Sequence, residues 1–174
     1  MIIPNIAIHE SVYDEISYKE SIKSYVDEKI NNSDGHIIIL YDKDLTKEEE
    51  LIRRTVEDKI SIFTNYNASI DNRMDRGEVK SISFSIAKGY IYFSTNDSNV
   101  ISLIERSELQ TYLHSLGSIR LYELIYAIKA LHGNSNILKG LYKLMYNLTK
   151  NEKRINPDWT TFIDNCYSQY GKYI

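Results

Sequence analysis

The chain has 174 residues, enough for one domain with a core of its own, and its 43% hydrophobic and 26% charged content is that of an ordinary globular protein. A net charge of −3 with no large basic block argues against binding nucleic-acid duplex by charge alone, because phosphate neutralisation needs clustered Lys and Arg. The single cysteine, Cys166, excludes an internal disulfide framework, and no run approaches the roughly 20 apolar residues of a membrane span. The first residues lack the charge and long apolar core of a signal peptide, so a cytoplasmic location without a membrane partner is expected. With 2 Pro and 7 Gly, long flexible linkers are not expected, and the 15 Tyr, together with frequent Ile, Asn and Lys, read as AT-rich codon usage.

In chain order, residues 5–9 form a short apolar strand. Ser11 is placed to cap the segment after it, where Val12, Ile16, Ile22, Val26 and Ile30 recur at near-helical spacing. Asn31 to Gly35 is a turn cluster, and His36–Tyr41 reads as a buried strand. Thr46 with Glu49 fits a capping box, and Leu51, Ile52, Val56, Ile60 and Phe63 supply the apolar stripe of the helix that follows. Glu48–Glu50 with Arg53 and Arg54 read as its solvated face. Residues 64–74, rich in Asn and Asp, form a loop.

A helix over Asp75–Lys88 stops at Gly89; a strand over 90–94 and a short helix over 98–105 come next. Residues 107–118 carry no clear period. Leu121–Leu131 and Ile137–Leu148 are amphipathic helices separated by residues 133–136, and Pro157 opens a last helix with Trp159, Phe162 and Ile163 facing inward. The sum is an α/β domain over residues 1–174 with a small parallel sheet and a helical C-terminal third.

Carboxylates mark where chemistry would sit. Asp75 and Glu78 fall at the start of the 75–88 helix, and Asp97 falls at the end of the following strand. A helix packed on that strand would bring Glu78 and Asp97 to one edge of a sheet, where α/β folds bind ligands. Gathered carboxylates hold hard divalent cations, the chemistry of metal-assisted phosphodiester cleavage. Each residue also has a plainer role: Glu78 as an acid at a helix N-terminus, Asp75 and Asp97 as N-caps. The four histidines lack paired metal-ligand spacing and read as structural or surface residues, and Cys166 reads as a half-buried thiol.

The segments Asp75-Arg76-Gly77-Glu78, Ile86-Ala87-Lys88 and Tyr92-Phe93-Ser94-Thr95-Asn96-Asp97 resemble the PIN-domain family of small α/β nucleases, which cleave RNA with Mg²⁺ or Mn²⁺. Residues 6–16, Ile-Ala-Ile-His-Glu-Ser-Val-Tyr-Asp-Glu-Ile, look like its strand-to-helix segment, and Tyr122-Glu123-Leu124 and Ile155–Phe162 resemble later parts. The resemblance implies a three-layer, Rossmann-like PIN fold. It makes Glu15, Glu78 and Asp97 the catalytic and metal-binding residues, with Asp75 and Glu123 as supporting ligands and Arg76 and Asn96 near the RNA.

Without the resemblance, Glu15 is a solvated helix residue or a partner of Lys19, and Glu123 a surface acid or pair partner. The family's opening strand, which ends in an Asp, has no counterpart: aligned on Ile6–His9, the Asp position holds His9. The resemblance therefore implies an RNA-cleaving enzyme or a truncated, degenerate or partner-completed relative. Such a relative would bind RNA or a protein partner such as an antitoxin. The Tyr-rich helices around Tyr122–Tyr146 read as core, with a homodimer interface as the alternative.

Overall fold

Strands β1 (Ile6–His9) and β2 (Ile37–Leu40) pair in parallel, Ile6 opposite Ile37 and His9 opposite Leu40, in the computed structural model, which describes residues 6–16, 20–31, 37–133, 136–147 and 159–171. Between them lie α1 (Glu10–Ile16) and α2 (Glu20–Asn31). After β2 come α3 (Lys47–Ser61), α4 (Arg76–Ala87), β3 (Tyr92–Ser94), α5 (Ser98–Ile104), α6 (Gln110–Leu113) and β4 (Gly117–Ile119). Helices α7 (Leu121–His132), α8 (Asn136–Asn147) and α9 (Trp159–Tyr170) complete the chain. β3 and β4 form a second two-stranded sheet. The protein is thus mixed α/β and mostly helical, and among the described residues no helix is long and apolar enough to cross a membrane.

The chain divides into two compact units, Ile3–Phe93 with Asp97–Ser118, and Ser94–Asn96 with Ile119–Ile174. The first is organised around α4, which packs on α3, α1 and β1. Val79, Ile82 and Phe84 on α4 are essentially sealed from solvent, and they are interleaved with buried Ser81, Ser83 and Ser85. These serines keep the helix slim on its crowded faces. The Ser83 and Ser85 hydroxyls donate to the carbonyls of Val79 and Ser81 at 2.7 Å, which satisfies both, whereas the Ser81 hydroxyl is buried without a hydrogen bond. Val56 and Ile60 of α3, Tyr66, and Val100, Leu103, Ile104, Leu109, Leu113 and Leu116 fill the space around Val79 and Ile82. Burying an Ile side chain of this kind stabilises a fold by about 1.5–3 kcal/mol.

In the second unit Ile125, Tyr126, Ile128, Leu138, Tyr142, Phe162 and Cys166 are buried. The Tyr142 ring lies 4.2 Å from Phe162 and 5.6 Å from Trp159, centroid to centroid. Tyr126 and Tyr142 are core residues here, as the sequence suggested.

Several local signals hold. Thr46 Oγ1 accepts the Glu49 N–H while a Glu49 oxygen accepts the Thr46 N–H, closing the capping box on α3. Gly89 follows α4 with φ +68°, a conformation side chains resist.

Others are corrected. Ser11 does not cap: it sits inside α1, fully buried, with its hydroxyl 2.7 Å from His9 Nδ1. The near-helical run after it is two helices; of its apolar residues in α2, Val26 is buried and Ile22 is 45% exposed. β2 is not a buried strand throughout, since Ile38 is 42% exposed; a sheet of two strands leaves part of each face uncovered. On α3, Leu51 and Ile52 face solvent, while Arg53 and Glu57 join Val56 and Ile60 on the buried face. Residues 107–118 resolve into a single 3₁₀ turn (Ser107–Leu109), α6 and β4. His36 and Pro157 lie outside the described residues, as does most of the 31–35 turn.

Candidate functional site: an acidic cleft beside a closed polar network

The N-terminus of α4 borders two clefts of the first unit. One, of about 550 Å³, is lined by Ser11, Asp14, Glu15, Asp71, Arg73, Asp75, Arg76 and Glu78. The other, of about 400 Å³, includes Asp75, Glu78, Asn65, Asp97 and Arg106 in its walls. Asp75 and Glu78 belong to both, so Glu15 flanks this pair on one side and Asp97 on the other.

Each side chain is held for a local reason. Asp75 occupies the N-cap position of α4 with φ 54°, in the left-handed region, and does not cap the helix with its side chain. Its Oδ2 instead accepts from Asn65, at 2.8 Å from the backbone N–H and 3.1 Å from Nδ2, which ties the 64–74 loop to the head of α4. The Glu15 carboxylate of α1 lies against Gly77 at the head of α4, its Oε1 2.7 Å from where a Cβ on that glycine would be. Burial raises the Glu15 carboxyl above its ordinary range, and the nearby Glu78 charge raises it further. Its alternative partner, Lys19, lies outside the described residues.

Asp97 caps α5 as expected, its Oδ1 accepting the Asn99 N–H at 2.8 Å. Arg76 turns back on its own loop, with Nε 3.0 Å from Asp71 Oδ1 and a guanidinium nitrogen 4.0 Å from Asp14. The Asp71 carboxylate raises the Arg76 pKa.

Glu123 and Asn96 belong to the second unit, where both serve α7. A Glu123 oxygen accepts the Arg120 N–H at 2.7 Å, and Asn96 Oδ1 accepts the Leu121 N–H at 2.9 Å. The Cys166 thiol of the same unit is buried, which pushes its pKa up to about 11, with the Glu123 charge adding to the rise. It is a poor nucleophile at neutral pH.

A second cluster lay hidden in the sequence. His9 closes β1 and Asp42 follows β2, so both sit at the carboxyl ends of the parallel strands, where α/β proteins place ligands. His9 Nε2 is 3.2 Å from Asp42 Oδ1, and the Asp42 N–H donates to Glu10 at 2.9 Å. Among the described residues, His9, Glu10 and Asp42 form the one group of three whose ligand atoms lie within 4.8 Å of one another; no three of Glu15, Asp75, Glu78 and Asp97 do.

That spacing would admit a metal, but the ligand atoms already face protein partners. The Ser11 N–H points at His9 Nδ1 at 3.2 Å, which makes Nδ1 an acceptor and leaves Nε2 protonated toward Asp42. The Arg53 Nε lies 3.4 Å from the same Asp42 oxygen, so a cation already sits beside the prospective ligand. The network then continues inward. Arg53 pairs with Glu57, and Glu57 and Asp71 both accept from the Tyr66 hydroxyl at 2.8 Å. Asp71 is met by Arg76 and Lys80, each at 3.0 Å.

Burial would raise the Asp71 carboxyl, but the Arg76, Lys80 and Tyr66 bonds outweigh it and hold Asp71 well below the usual range. The Tyr66 hydroxyl is driven up by burial and by its two carboxylate acceptors. Arg53, expected on a solvated face, is instead the buried centre of this network. An Asp directly after an apolar strand, in Tyr41-Asp42-Lys43-Asp44, was the sequence signal available for it.

No protein-family model matches the chain, and neither the curated proteins nor the solved structures contain a match to it.

Proposed function

We propose that this protein is a PIN-like, divalent-metal-dependent ribonuclease whose working face is the cleft at the head of α4. The single observation that carries the reading is that Glu15 and Glu78 line one cleft, where burial first and the Glu78 charge second raise the Glu15 carboxyl. A donor set made of carboxylate oxygens suits a hard cation such as Mg²⁺ or Mn²⁺, whose charge would relieve that repulsion. Such a cation supplies an activated water for in-line attack on a phosphodiester and neutralises charge on the phosphoryl oxygens. In this reading Glu15 and Glu78 hold the ion, while Asp75 and Asp97 assist from the walls of the adjoining clefts. Arg76 and Arg73, on the same wall as Glu78, meet the RNA phosphates. A three-layer PIN-like arrangement of the whole chain is part of the same proposal.

One observation favours a second reading, a catalytically degenerate relative that binds RNA or a protein partner in the manner of a toxin held by an antitoxin. Asp75 and Asp97 already accept local N–H groups, and no three of the four acids converge within 4.8 Å. Calorimetric titration with Mn²⁺, followed by incubation with single-stranded RNA, separates the two. The enzyme reading expects Mn²⁺ binding and Mn²⁺-dependent cleavage in the wild type. It expects both to be lost in Glu78→Gln, with a change in stability under about 0.5 kcal/mol. Full cleavage by Glu78→Gln would sink the assigned site. Absence of Mn²⁺ binding in the wild type would favour the degenerate reading and direct attention to a partner.

A further inference from the structure

Charge is divided unevenly along the chain. Residues 119–174, which make up nearly all of the second unit, carry eight Lys and Arg against four Asp and Glu, a net of +4. Residues 1–118 carry thirteen against twenty, a net of −7. An asymmetry of this size between two parts of one chain points to an anionic partner for the basic part. In the first unit cations answer to its own acids: Arg53 pairs with Glu57, Lys80 with Asp71 and Lys88 with Glu49. Helix α8 has no acidic residue, and its Lys139 and Lys143 are exposed, with no ion pair among the described residues.

The surface on which these lysines stand is half apolar. Leu138 and Tyr142, one turn apart, are the buried stripe of α8. Helical spacing puts Lys139 with Lys143 on one flank of that stripe and Ile137 with Leu141 on the other. Ile137 is 71% exposed and Leu141 40%, aliphatic side chains that the fold leaves uncovered. Opposite the buried stripe, between the two borders, stands Gly140. Its φ is not positive, and a Cβ built there would meet nothing within 4 Å. Neither the backbone nor the packing of this chain asks for a glycine here, although glycine weakens a helix interior relative to alanine. Its effect is to flatten the outer face, so that both borders reach one plane.

We infer that this outer face of α8 docks the protein on the surface of an anionic phospholipid bilayer, with the lysines at the headgroup phosphates and Ile137 and Leu141 among the first acyl carbons. A bilayer interface offers negative charge and hydrocarbon side by side, the pairing that this face presents. A second α8 would set lysine against lysine. Single-stranded RNA would answer the lysines but not the aliphatic border, because bases stack on rings and the Tyr142 ring is buried. An interfacial helix needs no membrane-spanning segment, and the inference is independent of the ribonuclease reading.

The test is co-sedimentation of the full chain with vesicles of phosphatidylcholine alone and of phosphatidylcholine mixed with phosphatidylglycerol. Binding is expected to the mixed vesicles, to fade as salt rises, and to be roughly 10-fold or more weaker on the neutral ones. Lys139→Gln with Lys143→Gln should weaken it on the order of 30-fold, and Ile137→Ser with Leu141→Ser roughly 10-fold or more. These side chains are exposed, so the thermal midpoint of each variant should stay near that of the wild type, which separates lost docking from lost folding. Leu51→Ser, at a similarly exposed position of α3 in the first unit, should bind as the wild type does.

Wild-type protein that stays in solution beside anionic vesicles would overturn the inference. So would binding that survives both pairs of α8 substitutions, or that falls equally with Leu51→Ser. Sedimentation equilibrium without lipid tests one rival occupant: a wild-type dimer that Ile137→Ser with Leu141→Ser returns to monomer would give the face to a second copy. Loss of single-stranded RNA binding in the lysine variant, with vesicle binding intact, would give it to RNA.

Discussion

Two groups of ionisable side chains in the first unit are built from the same residue types and come out opposite. The network from His9 through Asp42, Arg53, Glu57 and Tyr66 alternates donors and acceptors, and the charges along it have counter-charges within reach. The cleft at the head of α4 gathers Asp14, Glu15, Asp71, Asp75 and Glu78 against Arg73 and Arg76, and there burial first and the Glu78 charge second raise the Glu15 carboxyl. A paired polar network is a structural element: it fixes the strand ends to α3 and sets charge against counter-charge, although the Arg53 Nε is buried 3.4 Å from Asp42 without a hydrogen bond. An excess of like charge held on a rigid helix end has the opposite character, because the fold keeps a repulsion that a cation would relieve. Ligand-atom spacing alone would have ranked the two the other way, which shows why hydrogen-bond partners must be read along with distances.

The largest expected effect is at the closed network. Glu57→Ala leaves the buried Arg53 guanidinium without its close partner and removes an acceptor from Tyr66, and should destabilise by about 3–5 kcal/mol in urea unfolding. A loss below about 1 kcal/mol would mean that the network is as soft as the cleft, and the contrast would fail.

Asp71 sharpens the comparison because it belongs to both regions, accepting from Tyr66 and also lining the cleft. Its side chain is 47% exposed, so Asp71→Asn should cost only about 1 kcal/mol at neutral pH. Its folded pKa lies below the ordinary 3.8, so its contribution is present above that pH and is lost as pH falls through the lower folded value. The wild type should therefore lose stability in acid more steeply than Asp71→Asn, as thermal melts between about pH 5 and pH 2 would reveal. Parallel curves would show that the depression is not real.

The smallest effect should carry the opposite sign. The Glu15 pKa is raised in the folded protein, so this group costs stability once pH climbs above its ordinary 4.5, and the deficit is complete above the folded value. Glu15→Gln should then be neutral below that range and slightly stabilising at pH 7, by less than about 0.5 kcal/mol because water screens an exposed group. Destabilisation at pH 7 would show that the contacts of the Glu15 carboxylate outweigh the repulsion, and that the cleft is as well paired as the network.

What the residues alone disclosed was local. The Thr46–Glu49 box, the Asp97 cap, the Gly89 stop and the helical period of 121–131 each depend on groups within a few positions of one another, and each is found. The identity of the acids facing the cleft was legible in part: Glu15, Asp75, Glu78 and Asp97 were singled out, and all four line one or other of the two adjoining clefts. Their directions were not legible. Asp75 turns to Asn65, ten residues away, because a left-handed backbone at the helix entrance swings its carboxylate off the axis. Arg53, with Glu48–Glu50 and Arg54, read as part of a solvated face because period and charge describe one helix at a time. Whether that face meets water or Asp42 and Tyr66 depends on what the rest of the chain brings against it. Sequence spacing therefore determined the helices, caps and candidate acids of this protein. Tertiary packing alone decided which charges are neutralised and which are left to repel, because electrostatic energy depends on distance and burial between segments far apart in the chain.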